Sequence, residues 1–278
     1  MTASVALALV LLGGSGPQHS IRWEHRFDQA MKKARAAKKP VMIDFWADWC
    51  SWCHRLDQTT YVDPVVVKLS EDFIPVKVDT EGGRKNQEIA LRYNVATLPT
   101  ITFITPGGRQ ILNLKGFQGP GQFPRTMETA RDAAVRIMGL ESALHRDPRN
   151  PAALFGLGVH LFEQEFYEDS RALLYRAAAQ DRERPVKDRK QARMLIGIIQ
   201  NYDRKYAEGE SILKDALAIR PVSEYDSKMM FVLARLYVAW NKTDAARGTL
   251  RALLKDHGDS SVAAKARDLL ASLERDRK

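Results

Sequence analysis

Short apolar runs alternate with amphipathic stretches over the first 120 residues, and amphipathic stretches alone fill the remainder of the 278-residue chain. Between Ile21 and Pro40, the positions Trp23, Phe27, Ala30, Met31 and Ala34 recur at helical spacing, and Pro40 ends the pattern. This predicts an amphipathic helix. VMIDFWA (41–47) is then a compact apolar run of the kind that forms a buried strand. A helix is expected from Cys53 onward, and another from Pro64, where proline suits a first helical turn. IPVKVD (74–79) reads as a second buried strand and NQEIALRYNV (86–95) as a further helix. LPTITFITPGGRQILNLKG (98–116) reads as a hairpin turning at PGG. The order helix–strand–helix–strand–helix–strand–strand predicts a compact α/β sheet, part parallel and part antiparallel.

The pattern changes near residue 120. GFQGPGQFP (116–124) is a Gly/Pro-rich joint, a long helix is expected over 122–146, and DPRNP (147–151) breaks it. Three self-similar segments follow, FYEDSRALLYRAA (166–178), KYAEGESILKDALAIRP (205–221) and NKTDAARGTLRALLKDHG (241–258). Aligned on Ser170, Gly209 and Ala246, they recur at intervals of 39 and 37 residues, near the helix-hairpin repeat period of about 34. Each follows an apolar stretch (153–162, 191–202 and 228–240), and residues 261–278 read as a polar-faced capping helix. These segments resemble tetratricopeptide repeats. Leu157–Gly158 and Ile196–Gly197 stand at the small-residue pair of the first helix, and Ala177, Ala216 and Leu253 at the close-packed position of the second. Pro221 closes the second repeat, whereas Arg182 and Gly258 stand at the corresponding place in the others. A generic helical bundle is the competing description, because the intervals exceed the usual period. The expected organisation is a leader over 1–19, an α/β domain over 20–120, a linker helix over 121–150 and all-α repeats over 151–278.

Composition narrows the function classes. Hydrophobic residues make up 45% of the chain and charged residues 28%, which excludes a disordered chain. The net charge is +9, but residues 1–120 contribute +4 and the rest +5, so the excess is spread rather than gathered into a patch for nucleic acid. The densest basic run, KKARAAKK (32–39), reads as a solvated helix face. ASVALALVLLGG (3–14) gives an apolar run of about ten residues, the length of a signal-peptide core and too short to span a bilayer. It is followed by small residues but preceded by no Lys or Arg, and no cysteine follows it to carry a lipid anchor. A periplasmic or secreted location is expected, with the cytoplasm as the alternative.

Both cysteines lie in FWADWCSWCHRLDQ (45–58). Thiol–disulfide exchange needs one thiol that ionises near neutrality, because the thiolate is the attacking species. A cysteine that opens a helix meets unpaired backbone N–H groups and the positive end of the helix dipole, which stabilise its anion. Cys50 follows the strand and turn DFWADW and falls at such a start; Cys53 is one turn further in. Cys50 is therefore assigned as nucleophile and Cys53 as resolving thiol. A zinc site would need two more soft ligands, and His19, His25, His145, His160 and His257 show no ligand-like spacing. No G-x-S-x-G elbow, Walker motif or Rossmann glycine pattern is present.

VMIDFWADWCSWCH (41–54) together with YNVATLPTITFITPGGR (93–109) resembles the thioredoxin superfamily, over roughly residues 20–120. Within it, KKPVMIDFWADWC and YVDPVVVKLSEDFIPVKVD look most like the reductase domain of DsbD-type thiol:disulfide interchange proteins. The resemblance implies a thioredoxin-like fold with a redox-active Cys50–Cys53 disulfide. Asp44 matches the family's buried carboxylate, which exchanges a proton with the resolving thiol; burial raises the pKa of such a group. Pro99 matches the cis-proline that faces the disulfide, and Trp46 and Trp49 match flanking aromatic positions. Substrate would be met by Trp49, Ser51, Trp52, Leu98 and Pro99. The chain departs from the family in having Ser51-Trp52 between the cysteines and His54 after them, and Pro75 is read at the place of a strand lysine near the buried carboxylate. No metal or organic cofactor is implied.

The expected activity is thiol–disulfide oxidoreduction, in the direction of reducing protein disulfides, with a repeat module that binds clients or a redox partner. Expected partners are thiol- or disulfide-bearing proteins, without nucleic acid, metal or stable membrane insertion after leader cleavage. The alternative is a chaperone or adaptor of the thioredoxin–TPR type that acts mainly by protein binding.

Overall fold

The computed structural model describes residues 20–180, 182 and 184–275. The chain divides into two units, Met1–Ala134 and Val135–Lys278, and the expected leader lies outside the described residues. Among the described residues, no helix is long and apolar enough to cross a membrane.

The first unit carries α1 (Phe27–Ala37), β1 (Val41–Trp46), α2 (Ser51–Arg55), a π-helical continuation (Leu56–Thr60), α3 (Pro64–Ser70), β2 (Ile74–Asp79), α4 (Arg84–Arg92), β3 (Thr100–Ile104) and β4 (Gln110–Lys115). The strands form one sheet in the order β2-β1-β3-β4; β1 and β2 are parallel, and the other two pairings are antiparallel. This is the expected mixed sheet. Because side chains alternate along a strand, Val41, Ile43 and Phe45 face one side of the sheet. There they pack with Ala30, Met31 and Ala34 of α1 and Ile89 and Ala90 of α4. Met42 and Asp44 face the other side, and both are fully buried. Local rules fix the helix ends. Asp63 caps α3 by accepting from the backbone N–H groups of Val65 and Val66, with Pro64 in the first turn, and Lys38 closes α1 in the left-handed region.

One expectation is corrected. Ile21–Arg26 do not extend α1. Their backbone pairs with the free edge of β2 instead: Glu24 N–H donates to Pro75 O at 2.8 Å, and Lys77 N–H donates to Glu24 O at 3.0 Å. Strand-edge hydrogen bonds outcompete a helical continuation here, and they carry Trp23 to the side of Lys77.

α5 (Phe123–Arg146) contains the division between the units; its first turns bury Phe123, Met127, Ala130 and Ala134. The second unit is built of α6 (Pro151–Glu163), α7 (Tyr167–Ala178), α8 (Val186–Tyr202), α9 (Tyr206–Ala218), α10 (Tyr225–Ala239), α11 (Thr243–Asp256) and α12 (Ala263–Arg275). α6–α7, α8–α9 and α10–α11 are helical hairpins. Each turns through one left-handed residue, Glu165, Arg204 and Asn241, which repeat at the same 39- and 37-residue intervals as the sequence segments. A Cβ on Gly158 would stand 2.8 Å from Leu174, and one on Gly197 would stand 2.7 Å from Leu213, so the paired helices touch where a side chain is missing.

Candidate active site

β1 delivers the chain into the turn Ala47–Trp49, and Cys50 caps the helix that follows. Cys50 has extended backbone angles, its carbonyl accepts from Cys53 N–H at 3.0 Å and from His54 N–H at 3.2 Å, and its sulfur accepts from Cys53 N–H at 3.2 Å. The two cysteines form a disulfide with their Cα atoms 5.3 Å apart. Cys50 is the less buried of the two, at 4% against 1% exposure. The Leu98–Pro99 peptide bond is cis. Thr100, the next residue, pairs with Phe45 of β1, so the Leu98–Pro99 loop lies beside the end of β1 that leads into the disulfide turn.

The tryptophans divide between interior and surface. Trp46 is half-buried, whereas Trp49 and Trp52 are exposed, at 68% and 52%. The Trp49 indole N–H donates to Glu81 Oε1 at 2.7 Å, and the ring of Trp52 lies 5.3 Å from that of Phe117. Ser51 is exposed in the first helical turn, and Leu98 is half-buried on the core of α1, β1 and α4. His54 Nε2 lies 2.6 Å from Asp48 O, which ties it to the turn before the cysteines.

Asp44 is wholly buried and makes no close hydrogen bond among the described residues; the buried Tyr61 hydroxyl and the Lys77 ammonium are the polar groups that act on its carboxyl. Burial pushes the Asp44 carboxyl up to about 6, against the opposing pull of Lys77. The place of the strand lysine is corrected by the register. Asp44 pairs with Lys77, while Pro75 pairs with Met42. Lys77 Nζ lies 3.4 Å from Asp44 Oδ2 and donates to Asp57 Oδ1 at 2.5 Å. The rings of Trp23, Trp46 and Tyr61 stand 5.4, 5.4 and 5.7 Å from the same ammonium. Asp57 belongs to the π-helical turn, closed by the bond from Tyr61 N–H to Leu56 O at 2.9 Å; such turns are rare and recur at functional sites. Lys77, Asp57 and Trp23 were missed as site residues in the sequence. The available signal was a lysine between the buried valines 76 and 78, and an aspartate one helical turn after Cys53.

Residues 22–106 match a family model described as thioredoxin-like. The first unit is a thioredoxin-like domain. Its relatives include the thiol:disulfide interchange protein DsbD of Vibrio vulnificus, 35% identical over 106 residues, and that of Campylobacter jejuni, 27% identical over the same length. Each alignment covers 37% of this chain and only 18% of the relative. Among solved structures, the oxidised C-terminal domain of Neisseria meningitidis DsbD is 25% identical, over 39% of this chain and 99% of that domain, with a TM-score of 0.35. The helical unit falls outside the residues that the family model matches. Among the described residues, no group of three or more His, Cys, Asp or Glu side chains is placed to hold a metal ion.

Proposed function

We propose that this protein is a thiol–disulfide oxidoreductase that reduces disulfides of protein substrates. The observation that carries the reading is the Cys50–Cys53 disulfide at the head of a helix, with the less buried Cys50 as its cap. In the dithiol form, the Cys50 thiolate attacks one sulfur of the substrate disulfide. A mixed disulfide forms, and the other substrate sulfur leaves as a thiolate that takes up a proton. Cys53 then loses its proton and attacks Cys50 Sγ. The Cys50–Cys53 bond closes, the second substrate sulfur leaves as a thiolate, and two electrons have passed to the substrate. Turnover requires a dithiol protein to return the pair to its reduced form.

The chain supports each step. The amide that now donates to Cys50 Sγ stabilises the thiolate, as does the helix N-terminus. Asp44 accepts the Cys53 proton, directly or through water; a carboxyl held at about 6 exchanges protons near neutral pH. The cis Leu98–Pro99 segment, Trp49, Ser51 and Trp52 form the substrate-docking surface. The TPR-like module binds clients or the redox partner; a groove of about 560 Å³ lined by Phe231, Arg235, Val238, Ala239 and Leu269 supports this reading. The leader-like segment over 1–19 supports export, where substrates bear disulfides.

Insulin-disulfide reduction by the full chain tests the mechanism. Cys50→Ser abolishes it, and Cys53→Ser accumulates mixed disulfides detectable by mass spectrometry. Turnover at the wild-type rate by either variant refutes the assignment.

A further inference from the structure

The segment after β4, read from the sequence as the start of a Gly/Pro-rich joint, is fastened to its surroundings by hydrogen bonds. Gly116 N–H donates to Pro99 O at 2.8 Å, the Thr60 hydroxyl donates to Gln118 O at 2.9 Å, and the Thr126 hydroxyl donates to Gln118 Oε1 at 2.7 Å. Gly116 has a φ of 88°, which a side chain would strain. Three separate elements thus fix the position of Phe117: the cis-proline loop, the π-helical turn and α5. Its ring packs on Trp52, one of the two residues between the cysteines, and the Arg55 guanidinium lies 5.5 and 5.6 Å from the two ring centroids.

This cluster is not a buried core. Trp52 keeps half of its surface in water, and Arg55 is exposed. Arg55 forms no ion pair among the described residues, and two carboxylates of this region have other partners, Asp57 in Lys77 and Glu81 in the Trp49 indole. A small disulfide needs only access to sulfur. A polypeptide disulfide attacked by Cys50 also brings the residues beside its cysteine against the surface around Cys50, which includes the exposed Trp52. An apolar neighbour covers the Trp52–Phe117 face, and an acidic neighbour meets the open guanidinium.

We propose that Trp52, Phe117 and Arg55 form a recognition element that selects disulfides carried on acidic, extended polypeptide segments with an apolar residue beside the cysteine. This rests on the oxidoreductase reading above and names its substrate class.

The test uses the full-length protein, pre-reduced, with its oxidation followed as a second-order rate constant. Three oxidants are compared: 2-hydroxyethyl disulfide and two disulfide-linked peptides, each with Leu beside the cysteine and flanked by either Asp or Lys. The Asp peptide reacts about tenfold faster than the Lys peptide at low ionic strength, and the gap narrows in high salt. Arg55→Glu reverses the order of the peptides. Phe117→Ala lowers the peptide rates about tenfold, the loss expected for truncating an aromatic anchor, and the small-disulfide rate by no more than about twofold. Equal rates for the two peptides, or a peptide-to-small-disulfide ratio unmoved by Phe117→Ala, overturn the selection while leaving the exchange reading intact. Oxidation by none of the three overturns both. Arg55 is exposed, so its charge reversal decides the matter even where Phe117→Ala fails to fold.

Discussion

Asparagine in place of Asp44 turns the buried carboxylate into a measurable quantity. Asp44 is wholly buried, and its pKa is raised from 3.8 to about 6, first by loss of hydration and against the attraction of Lys77. Between these two values the folded protein holds a proton that the unfolded chain has released. Stability therefore falls as pH rises through this window, by about 3 kcal/mol for a displacement of this size. Below about pH 3 both states are protonated, and well above pH 6 the full loss is in place. Asparagine has no proton to lose. It carries a constant penalty for a buried amide, so the stability difference between variant and wild type should climb by about 2.5 kcal/mol from pH 4 to pH 8 in favour of the variant. Urea unfolding of the oxidised full chain measures this. Four of the five tryptophans (23, 46, 49 and 52) lie in the thioredoxin-like unit, so fluorescence reports mainly on it. A difference that stays flat between pH 4 and pH 8, or slopes the other way, refutes the account of Asp44 as a carboxylate raised by burial.

Two further substitutions probe buried charge in each unit. Lys77→Met removes the cation that holds the Asp44 pKa down, so the upper end of the pH window over which stability falls moves above 6; an unmoved or lowered upper end contradicts the pairing. In the helical unit, Lys190 is fully buried, its Nζ lies 2.8 and 2.5 Å from the two oxygens of Asp226, and Ser223 also donates to that carboxylate. Lys190→Met leaves the aspartate uncompensated and should cost about 3–5 kcal/mol, whereas Lys190→Met with Asp226→Leu should recover most of it. A double variant as unstable as the single one, by urea unfolding followed with circular dichroism, rules out the ion pair as the cause.

The fold was legible where one physical signal dominated. β1 is an apolar run and β3 (TITFI) an alternating one; each reads as a strand without tertiary context, and the structure buries both on both faces. The hairpins of the second unit were legible because the helix pairs close on missing side chains at Gly158 and Gly197, which stand out in otherwise apolar stretches. Ile21–Arg26 misled because Trp23 fits the helical period of α1; only the open edge of β2, formed by residues 50 positions away, gives that backbone a better partner. The Asp44–Lys77 pairing depends on a strand register that no local pattern specifies, and an error of two residues put Pro75 in its place. Phe117 was hidden by its Gly/Pro-rich neighbours. Those residues argue for a loop, and they do form one, but they do not say that hydrogen bonds tie the loop to Pro99, Thr60 and Thr126.

The two halves of the site meet through one helix. Cys50 and Cys53 occupy its first turn, where open backbone amides favour a thiolate, and Asp57 lies a turn beyond Cys53, where the helix widens. Asp57 is 39% exposed and holds the ammonium of Lys77, which stands 3.4 Å from the fully buried Asp44. A proton released inside is therefore linked, through a single cation, to a carboxylate in contact with water. On the proposed mechanism the unfavourable burial of Asp44 is the means of catalysis. An aspartate with full hydration ionises near 3.8 and is too weak a base to share a proton with a thiol at neutral pH, and each unit of upward shift brings it closer at about 1.4 kcal/mol of stability. The same substitution that gains stability relative to wild type as pH rises should then slow resolution of the mixed disulfide. If Asp44→Asn were both more stable and undiminished in turnover, the carboxylate would have no part in the exchange, and its burial would remain an energetic cost without a use.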